Sequence, residues 1–448
     1  MMALNVIKIS PVRPATPSLS PVILPLTFFD LLWLHLVPTN RVIFYKLTES
    51  SSSCDSFHSA ILPKLERSLS LVLAHFLPLS GHLNWDPQAP KPHILISPHD
   101  AVSLTVAETD ADFSQNSTKG IRPRKELRAL VPELPVSSYS SPVMTLQITL
   151  FPSQGFCMGL SLHHAVADGK TVVKFLKSWA HICKHGAAPR DFDLPMVLDR
   201  TVVNVPAELE AKISRDKASV ARSVSLHPAA EETDDLVKLT LELSHEDVEK
   251  LRERVRREST RPDLPHLSTF VVTYAYVLAC VVKARGGEEE EDRLVPFMYV
   301  ADFRQRLHPP VPVNYFGNCV LPINFYRYKA TTFSGKDGFV NGVEILGDSI
   351  RGLSSRGAEE SLWEMYEEGL KWAEPGTPKV IVAGSNRFGI YGSDFGWGRP
   401  VNTENISLTR NILFTMSERR DEIGGVEIGM CLKRCETDVF VSLFRNGL

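Results

Sequence analysis

The chain has 448 residues, of which 43% are hydrophobic and 23% charged, proportions that are ordinary for a globular protein. At roughly 100–200 residues per domain, this length favours two or three domains, each able to bury a core. The 49 basic and 52 acidic residues give a formal net charge of −3, which argues against broad nucleic-acid binding. The seven cysteines include no C-x-x-C pair and do not have zinc-finger spacing, so we expect a reducing compartment and no metal site.

The two ends of the chain lack the usual targeting patterns. Met1–Pro21 has no apolar stretch followed by a cleavage site, and the final FRNGL is neither a retention nor a peroxisomal tag. The most apolar run, Thr269–Val282, is shorter than the ~20 residues needed to span a bilayer and predicts a core helix. We therefore expect a cytoplasmic monomer with no membrane span and no nucleic-acid partner.

The first half of the chain alternates helical and extended patterns. Apolar residues at helical spacing fill Ile61–Gly81, and the next segments, HILISP and VSLTVAE, predict strands. Alternation in Met144–Leu150 and again in Phe156–Leu162, around the turn sequence PSQG, predicts a hairpin. After Gly169 the period becomes that of a helix, with an apolar stripe of Val172, Phe175, Leu176, Trp179 and Ile182.

The second half follows a polar crossover. Residues 191–235 are rich in Pro, Ala, Ser and charge, and we predict that they link a domain at 1–190 to another at 236–448. SHEDVEKLRERVRR predicts a surface helix capped by Ser244 with Asp247, and Gly286–Arg293 predicts a solvated loop. LVPFMYVADFR and GVEIGMCLKR predict strands. Because strands and helices interleave in both halves, the predicted fold class is α/β with mixed sheets.

Two adjacent histidines stand where the hairpin ends and the helix begins. His164 and Asp168 have the spacing H-x-x-x-D, which arises by chance about once in a chain with 14 histidines. His82 and Asp86 share this spacing after a helix, where it indicates a structural role. At the later position, a neutral imidazole could act as the general base for a hydroxyl. The alternative is that Asp168 caps the helix, or neutralises a buried arginine, while a histidine fills the core.

Three further motifs are ambiguous when each is taken alone. GLSLH is similar to a nucleophile elbow, but it lacks the last glycine and lies inside a strand. YGSDFGWGRP contains DFG without the other kinase motifs, and its glycines precede no helix that could cradle a phosphate. It indicates a turn with close backbone packing, as does NYFGNC at Asn314–Cys319.

Taken together and in this order, HHAVADG, NYFGNC and DFGWG resemble the motifs of the plant BAHD acyltransferases. LPLTFFDLLWL, FLPLSGHL, ADFRQRL and GGVEIGMCLKR agree, so the resemblance covers essentially the whole chain. NYFGNC is similar to the clade that acts on flavonoid and anthocyanin glycosides. Related sequences often have Pro where Asn386 stands, a departure that concerns local loop shape.

The resemblance implies two chloramphenicol-acetyltransferase-like domains with mixed sheets flanked by helices and an active-site channel at their interface. It also implies that a segment around residues 394–415 packs on the first domain. His164, followed by Asp168 and Gly169, is implied as the general base, and Arg304 is the candidate partner of Asp168. Asp394 is counted with the catalytic residues, although its motif is mainly architectural and near the CoA channel; the rest of that motif is Phe395, Gly396, Trp397 and Gly398. The positions that resemble CoA contacts are Arg41, Lys177, Ser268 and Thr269.

The implied activity is direct acyl transfer from an acyl-CoA co-substrate, without an acyl-enzyme or a permanently bound cofactor. The implied acceptor is a sugar hydroxyl of an anthocyanin, a flavonoid or another phenolic glucoside, and malonyl-CoA is the favoured donor. The alternatives are a hydroxycinnamoyl donor (coumaroyl- or caffeoyl-CoA) or an acyl hydrolase; a carrier-dependent condensation module also shares the HHxxxDG element. Trp397 Nε1–H or a backbone N–H is expected to stabilise the oxyanion.

Overall fold

The architecture is that of a computed structural model, which describes residues 2–48, 51, 53–86, 88–123, 125–220, 222–224, 235–264, 266–286, 293–355, 358–371, 379–407 and 412–448. Most of the predicted solvated loop at Gly286–Arg293, and part of the predicted crossover at 191–235, lie outside the described residues.

The first half of the chain builds a six-stranded mixed sheet. Its spatial order is β1-β6-β9-β10-β3-β15, and only the β6–β9 pair is parallel. The strands are β1 (Asn5–Val12), β3 (Thr39–Lys46), β6 (Val102–Glu108), β9 (Met144–Phe151), β10 (Gly155–Leu162) and β15 (Asn402–Asn405). A small antiparallel sheet in the order β2-β5-β4-β8 extends this half. Its strands are β2 (Val22–Pro25), β4 (His82–Asn84), β5 (His93–Ile96) and β8 (Ser140–Pro142).

The second half of the chain builds a seven-stranded mixed sheet in the order β13-β12-β14-β16-β17-β11-β7. The pairs β12–β14 and β14–β16 are parallel, and the others are antiparallel. The strands are β7 (Arg122–Pro123), β11 (Leu236–Leu243), β12 (Phe297–Asp302), β13 (Val320–Phe325), β14 (Val380–Gly384), β16 (Ile412–Glu418) and β17 (Val426–Lys433).

Helices cover these sheets. They are α1 (Phe28–Leu31), α2 (Cys54–Ser56), α3 (Leu62–Leu73), α4 (Phe113–Ser117), α5 (Gly169–His185), α6 (Ala207–Val220), α7 (His245–Glu258), α8 (Thr269–Arg285), α9 (Thr331–Ser334), α10 (Gly338–Ser355), α11 (Ala358–Lys371) and α12 (Arg434–Asn446). Helix α8 is the predicted core helix, and its side chains from Val271 to Val282 are all buried. Within the described ranges, no helix has the length and apolarity that crossing a bilayer would require.

Each large sheet contains one strand from the other half of the chain. Strand β15 pairs with β3 in the first sheet, with Asn402 opposite Phe44. Strand β7 pairs with β11 in the second sheet, with Pro123 opposite Val237. Each half of the chain is therefore bonded through its backbone to the large sheet of the other half.

The predicted hairpin and the helix after it are both present, and they set the position of the histidines. Strands β9 and β10 pair in register, with Leu162 opposite Met144. Both faces of this hairpin are buried. A loop covers the face that carries Thr145 and Gln147, which donate hydrogen bonds to the backbone carbonyls of Glu133 and Ala129. A hairpin covered on both faces and followed by a long helix is a rigid base for the loop between them.

Candidate active site

The loop between β10 and α5 carries both histidines and the aspartate. The N–H of His163 donates to the carbonyl of Val143 at 2.9 Å, which extends the hairpin by one residue. Asp168 is the N-cap of α5, and its Oδ1 accepts the N–H of Thr171 at 3.0 Å. The helix-capping role, which was one alternative for Asp168, is thus part of the structure.

His163 belongs to the core. Its side chain is fully buried, and its Nδ1 accepts the N–H of Ala165 at 3.3 Å. Burial lowers the pKa of His163 to about 4, with further lowering by the neighbouring His164. This histidine is therefore neutral at physiological pH, and it does not line the large cavity that His164 lines.

His164 is half-buried and lines a cavity of about 1620 Å³. Its ring stacks on Trp33, with 4.8 Å between the ring centroids and 20° between the planes. Burial lowers the pKa of His164, while its own carbonyl and the charge of Asp168 act in the opposite direction. A neutral imidazole beside a large cavity is chemically able to take a proton from a bound molecule.

Asp168 forms a buried ion pair with Arg304. Arg304 Nη1 lies 2.8 Å from Asp168 Oδ2, and both side chains are almost wholly buried. The same oxygen accepts the N–H of Cys319 at 3.2 Å. Burial alone would raise the pKa of Asp168, but the guanidinium and the two N–H donors hold it below its usual range. Both carboxylate oxygens are occupied, which makes Asp168 a support for the loop.

Arg304 connects this loop to the second half of the chain. Its Nη2 donates to the carbonyl of Gly317 at 3.1 Å, and its Nη1 lies 3.3 Å from Asp302 Oδ1. Burial by itself would lower the pKa of Arg304, but the charges of Asp168 and Asp302 raise it above its usual value. The arginine that the sequence resemblance indicated is thus the one that lies against Asp168.

The NYFGNC turn is the centre of this polar network. Asn318 donates from its backbone and side-chain nitrogens to Asp30 Oδ1, at 2.9 and 3.0 Å. Its side-chain nitrogen also lies 3.1 Å from the carbonyl oxygen of His164. The turn needs glycine at 317, where φ is +148° and a Cβ would lie 2.6 Å from the Arg200 guanidinium. The motif therefore holds the histidine loop from the other half of the chain.

Asp30 and Arg200 were not among the predicted site residues. Asp30 is fully buried, and its Oδ2 accepts both the N–H and the hydroxyl of Thr27 in a capping box. Arg200 donates to the Tyr315 hydroxyl and the Phe316 carbonyl, both at 2.6 Å, and lies 4.0 Å from Asp30. The T-x-x-D spacing could have identified Asp30 as a cap, but no local signal marks Arg200.

The DFGWG motif packs on the first half of the chain, away from His164. Phe395 is fully buried, with its ring edge-on to Trp179 at 5.1 Å. Asp394 Oδ2 lies 2.6 Å from Lys184 Nζ, and its Oδ1 accepts the N–H groups of Gly396 and Gly398. Both glycines have positive φ, of +107° and +104°. These contacts hold the motif against helix α5.

Two expectations about this motif are not supported by its position. Among the described residues, neither Asp394 nor Trp397 lines the cavity that contains His164. Trp397 instead lies edge-on to Phe156 and beneath the amine of Lys64. Its indole N–H is therefore not placed to stabilise an oxyanion beside His164, and Asp394 is held by Lys184.

The four candidate CoA contacts lie in different places. Lys177 and Ser268 line the cavity, Ser268 also capping α8. Thr269 faces an adjoining pocket of about 520 Å³, where its hydroxyl accepts from Arg252 at 2.7 Å. Arg41 does not line either space; it donates to Thr403 Oγ1 at 3.0 Å, and burial lowers its pKa. Arg41 thus lies at the junction of β3 and β15. Spacing along the chain could not reveal that β15 covers this residue.

The cavity and the adjoining pocket join both halves of the chain. The cavity wall includes helix α5, strands β12 and β13, and the segment 384–388. The pocket shares Ser268, His266 and Arg387 with the cavity and adds Arg252, Arg256 and Glu249, whose carboxylate pairs with Arg252. This combination of an apolar wall, a histidine and a group of cations can accommodate a long molecule with an anionic end.

Comparisons with known proteins agree with this geometry. The model of the Transferase family matches residues 2–446. A BAHD acyltransferase of Arabidopsis thaliana is 65% identical over 451 residues, covering 99% of both chains. The chain belongs to the BAHD acyltransferase family. It is therefore an acyltransferase, of a family that uses acyl-CoA as the co-substrate.

Other BAHD relatives differ in their named substrates. Agmatine coumaroyltransferase of Arabidopsis thaliana is 58% identical over 452 residues, covering 99% of both chains. Phenolic glucoside malonyltransferase 2 of the same plant is 49% identical over 432 residues, covering 95% of this chain and 94% of the relative. The crystal structure of vinorine synthase matches with a TM-score of 0.73 at 19% identity, covering 98% of both chains. That match confirms the predicted α/β fold with mixed sheets, as in other BAHD acyltransferases.

Proposed function

We propose that this BAHD acyltransferase moves an acyl group directly from acyl-CoA to an acceptor, with His164 as the general base. The position of His164 carries the proposal: its neutral imidazole faces the large cavity shared by both halves of the chain. The loop that bears it is anchored by Asp168, Arg304 and Asn318.

The reaction needs only one proton carrier. His164 takes the proton of the acceptor hydroxyl or amine as the acceptor atom attacks the thioester carbonyl. The tetrahedral intermediate then expels the CoA thiolate, which receives the proton back from His164. Since Trp397 lies elsewhere, a backbone N–H at the cavity wall is the remaining candidate donor to the oxyanion.

For the substrates, our first proposal is malonyl transfer to a sugar hydroxyl of a phenolic glucoside. The 49% identical relative that is named for this reaction supports it. The cavity also contains cations that could bind the free carboxylate of a malonyl group. Lys170, Lys174 and Lys177 of α5 all line it, and Lys174 is half-buried there.

A second candidate is hydroxycinnamoyl transfer, including transfer of coumaroyl to an amine. The 58% identical relative is named for agmatine and coumaroyl. Much of the cavity wall is apolar and would suit an aromatic acyl chain. That part of the wall includes Leu32, Phe270, Val300, Leu321 and Ile350.

A crossed assay separates the two candidates. Malonyl-CoA and coumaroyl-CoA are each offered with a phenolic glucoside and with agmatine, and the products are identified by mass. The first proposal predicts malonylated glucoside as the main product, and Lys174→Met should weaken malonyl transfer more than coumaroyl transfer. Coumaroylagmatine as the sole product would replace the first proposal by the second, and release of free acid alone would indicate a hydrolase.

The role of His164 has its own test. His164→Ala should lower kcat by about 10²–10⁴-fold while the protein remains folded. His82→Ala is the matched control, because His82 belongs to the same H-x-x-x-D spacing but does not line the cavity. A His164→Ala variant with more than about a tenth of the wild-type kcat would rule out the general-base role.

A further inference from the structure

Trp33 covers one face of the imidazole of His164. Its indole is nearly parallel to the histidine ring, at 20°, with 4.8 Å between centroids. Trp33 is 7% exposed and lines the cavity beside His164. A ring covered on one face in this way has fewer orientations open to it than a ring surrounded by water.

The stacking partner is itself firmly held. Trp33 follows α1, and its N–H donates to the carbonyl of Asp30 at 3.1 Å. The Asp30 carboxylate accepts two hydrogen bonds from Thr27 and two from Asn318. Since Asp30 is fully buried, displacing this short helix would leave an unpaired charge in the interior, which is costly.

The same asparagine also holds the backbone of the histidine. Asn318 Nδ2 lies 3.1 Å from the carbonyl oxygen of His164 and 3.0 Å from Asp30 Oδ1. His164 is thus restrained at its main chain by Asn318 and at its ring by Trp33, and Asp30 joins the two restraints. Asn318 comes from the opposite half of the sequence, so these contacts link the two halves of the chain at His164.

The indole nitrogen plays no part in this arrangement. Trp33 Nε1 is buried and has no hydrogen-bond partner among the residues that the structure describes. A buried unpaired N–H is destabilising, so the contribution of Trp33 to the site comes from its aromatic face.

We propose that Trp33 is a positioning residue: its indole face holds the His164 imidazole in the orientation required for proton transfer. The inference rests on the proposed role of His164 as the base. A misplacement of about 1 Å in a reacting group can cost about 10²-fold in rate, so loss of this face should be seen in kcat.

The test compares two substitutions at this position. Trp33→Leu removes the aromatic face and should lower kcat about 10–100-fold while KM for acyl-CoA changes less than about threefold. Trp33→Phe keeps an aromatic face and removes the unpaired N–H, so it should restore kcat to within about fivefold of wild type. A loss in kcat that phenylalanine rescues is not expected from general loosening of the core.

Trp85→Leu supplies the matched control. Trp85 is fully buried in the hydrophobic core, has an unpaired Nε1 among the described residues, and does not line the cavity. It should lose thermal stability while keeping wild-type kcat per folded molecule. The proposal is overturned if Trp33→Leu keeps kcat within twofold of wild type, or loses no more than Trp85→Leu.

His164→Ala, assayed in parallel, separates this proposal from the proposed function. If His164→Ala is inactive and Trp33→Leu is fully active, only the role of Trp33 fails. If His164→Ala remains active, the base itself has been misassigned.

Discussion

Replacing Asp168 by asparagine should destabilise the protein strongly. The substitution removes the negative charge that faces Arg304 at 2.8 Å, in a pair where the side chains are 3% and 1% exposed. The asparagine amide also directs N–H groups at one of three donors: Arg304, Thr171 or Cys319. Removing one partner of a buried ion pair costs about 3–5 kcal/mol, because the other charge stays buried.

The assay is thermal unfolding at neutral pH. For a domain of about 150–250 residues, 1 kcal/mol shifts Tm by roughly 2–4 °C, so Asp168→Asn should lower Tm by at least about 6 °C. Asp302→Asn is the matched control, because Asp302 also contacts Arg304 but is 40% exposed. Its loss should remain below about 1 kcal/mol.

Acid pH supplies an independent check on the same charge. Because the pKa of Asp168 is lowered in the folded state, its ion pair stabilises the protein fully above the ordinary range of about 3.9. This contribution is lost as the pH falls from that range through the lowered pKa. The difference in Tm between wild type and Asp168→Asn should therefore shrink below about pH 4. An Asp168→Asn protein that melts within 2 °C of wild type at pH 7 would refute the reasoning.

Three further predictions follow from the site and its supports. Since burial lowers the pKa of His164, kcat/KM should stay high below pH 6.5 and fall only as the pH drops through the lowered pKa. An acidic limb of the kcat/KM profile centred above pH 6.5 would contradict this. Gly396→Ala should lower the free energy of unfolding by about 1–3 kcal/mol, because φ is +107° at this position, and it should leave kcat unchanged. An unaltered Tm would contradict the structural role of the DFGWG motif. Arg256→Ala should raise KM for acyl-CoA several-fold without changing KM for the acceptor, because Arg256 lines the pocket that adjoins the cavity. Arg257→Ala is the control, since Arg257 lies outside that pocket, and an equal effect in both variants would dismiss the assignment.

Local patterns predicted much of the fold because they reflect local physics. The change from a two-residue to a helical period after Gly169 located β10, the loop and α5. Ser244 and Asp247 form the predicted capping box at the start of α7. The placement of His164 and Asp168 in one loop could be predicted from the sequence, because both belong to a single segment of five residues.

Contacts across the chain were harder to predict, since a single sequence does not show which distant segments meet. Asp30 and Asn318 are 288 positions apart, yet their hydrogen bonds hold the loop of His164. Arg41 was expected among the CoA contacts but lies against Thr403, 362 positions away. Arg304 was identified only through the motif resemblance, because neither burial nor pairing of an arginine can be derived from its neighbours.

The exchanged strands have a consequence for synthesis of the protein on the ribosome. The edge of β3 receives its partner only when Asn402–Asn405 has emerged, long after β3 itself has been synthesised. Until then, Thr39–Lys46 presents unpaired backbone groups of the kind that promote association between chains. We therefore expect the nascent first half to need protection from association until β15 emerges, and a chain that ends before β15 to accumulate as aggregates.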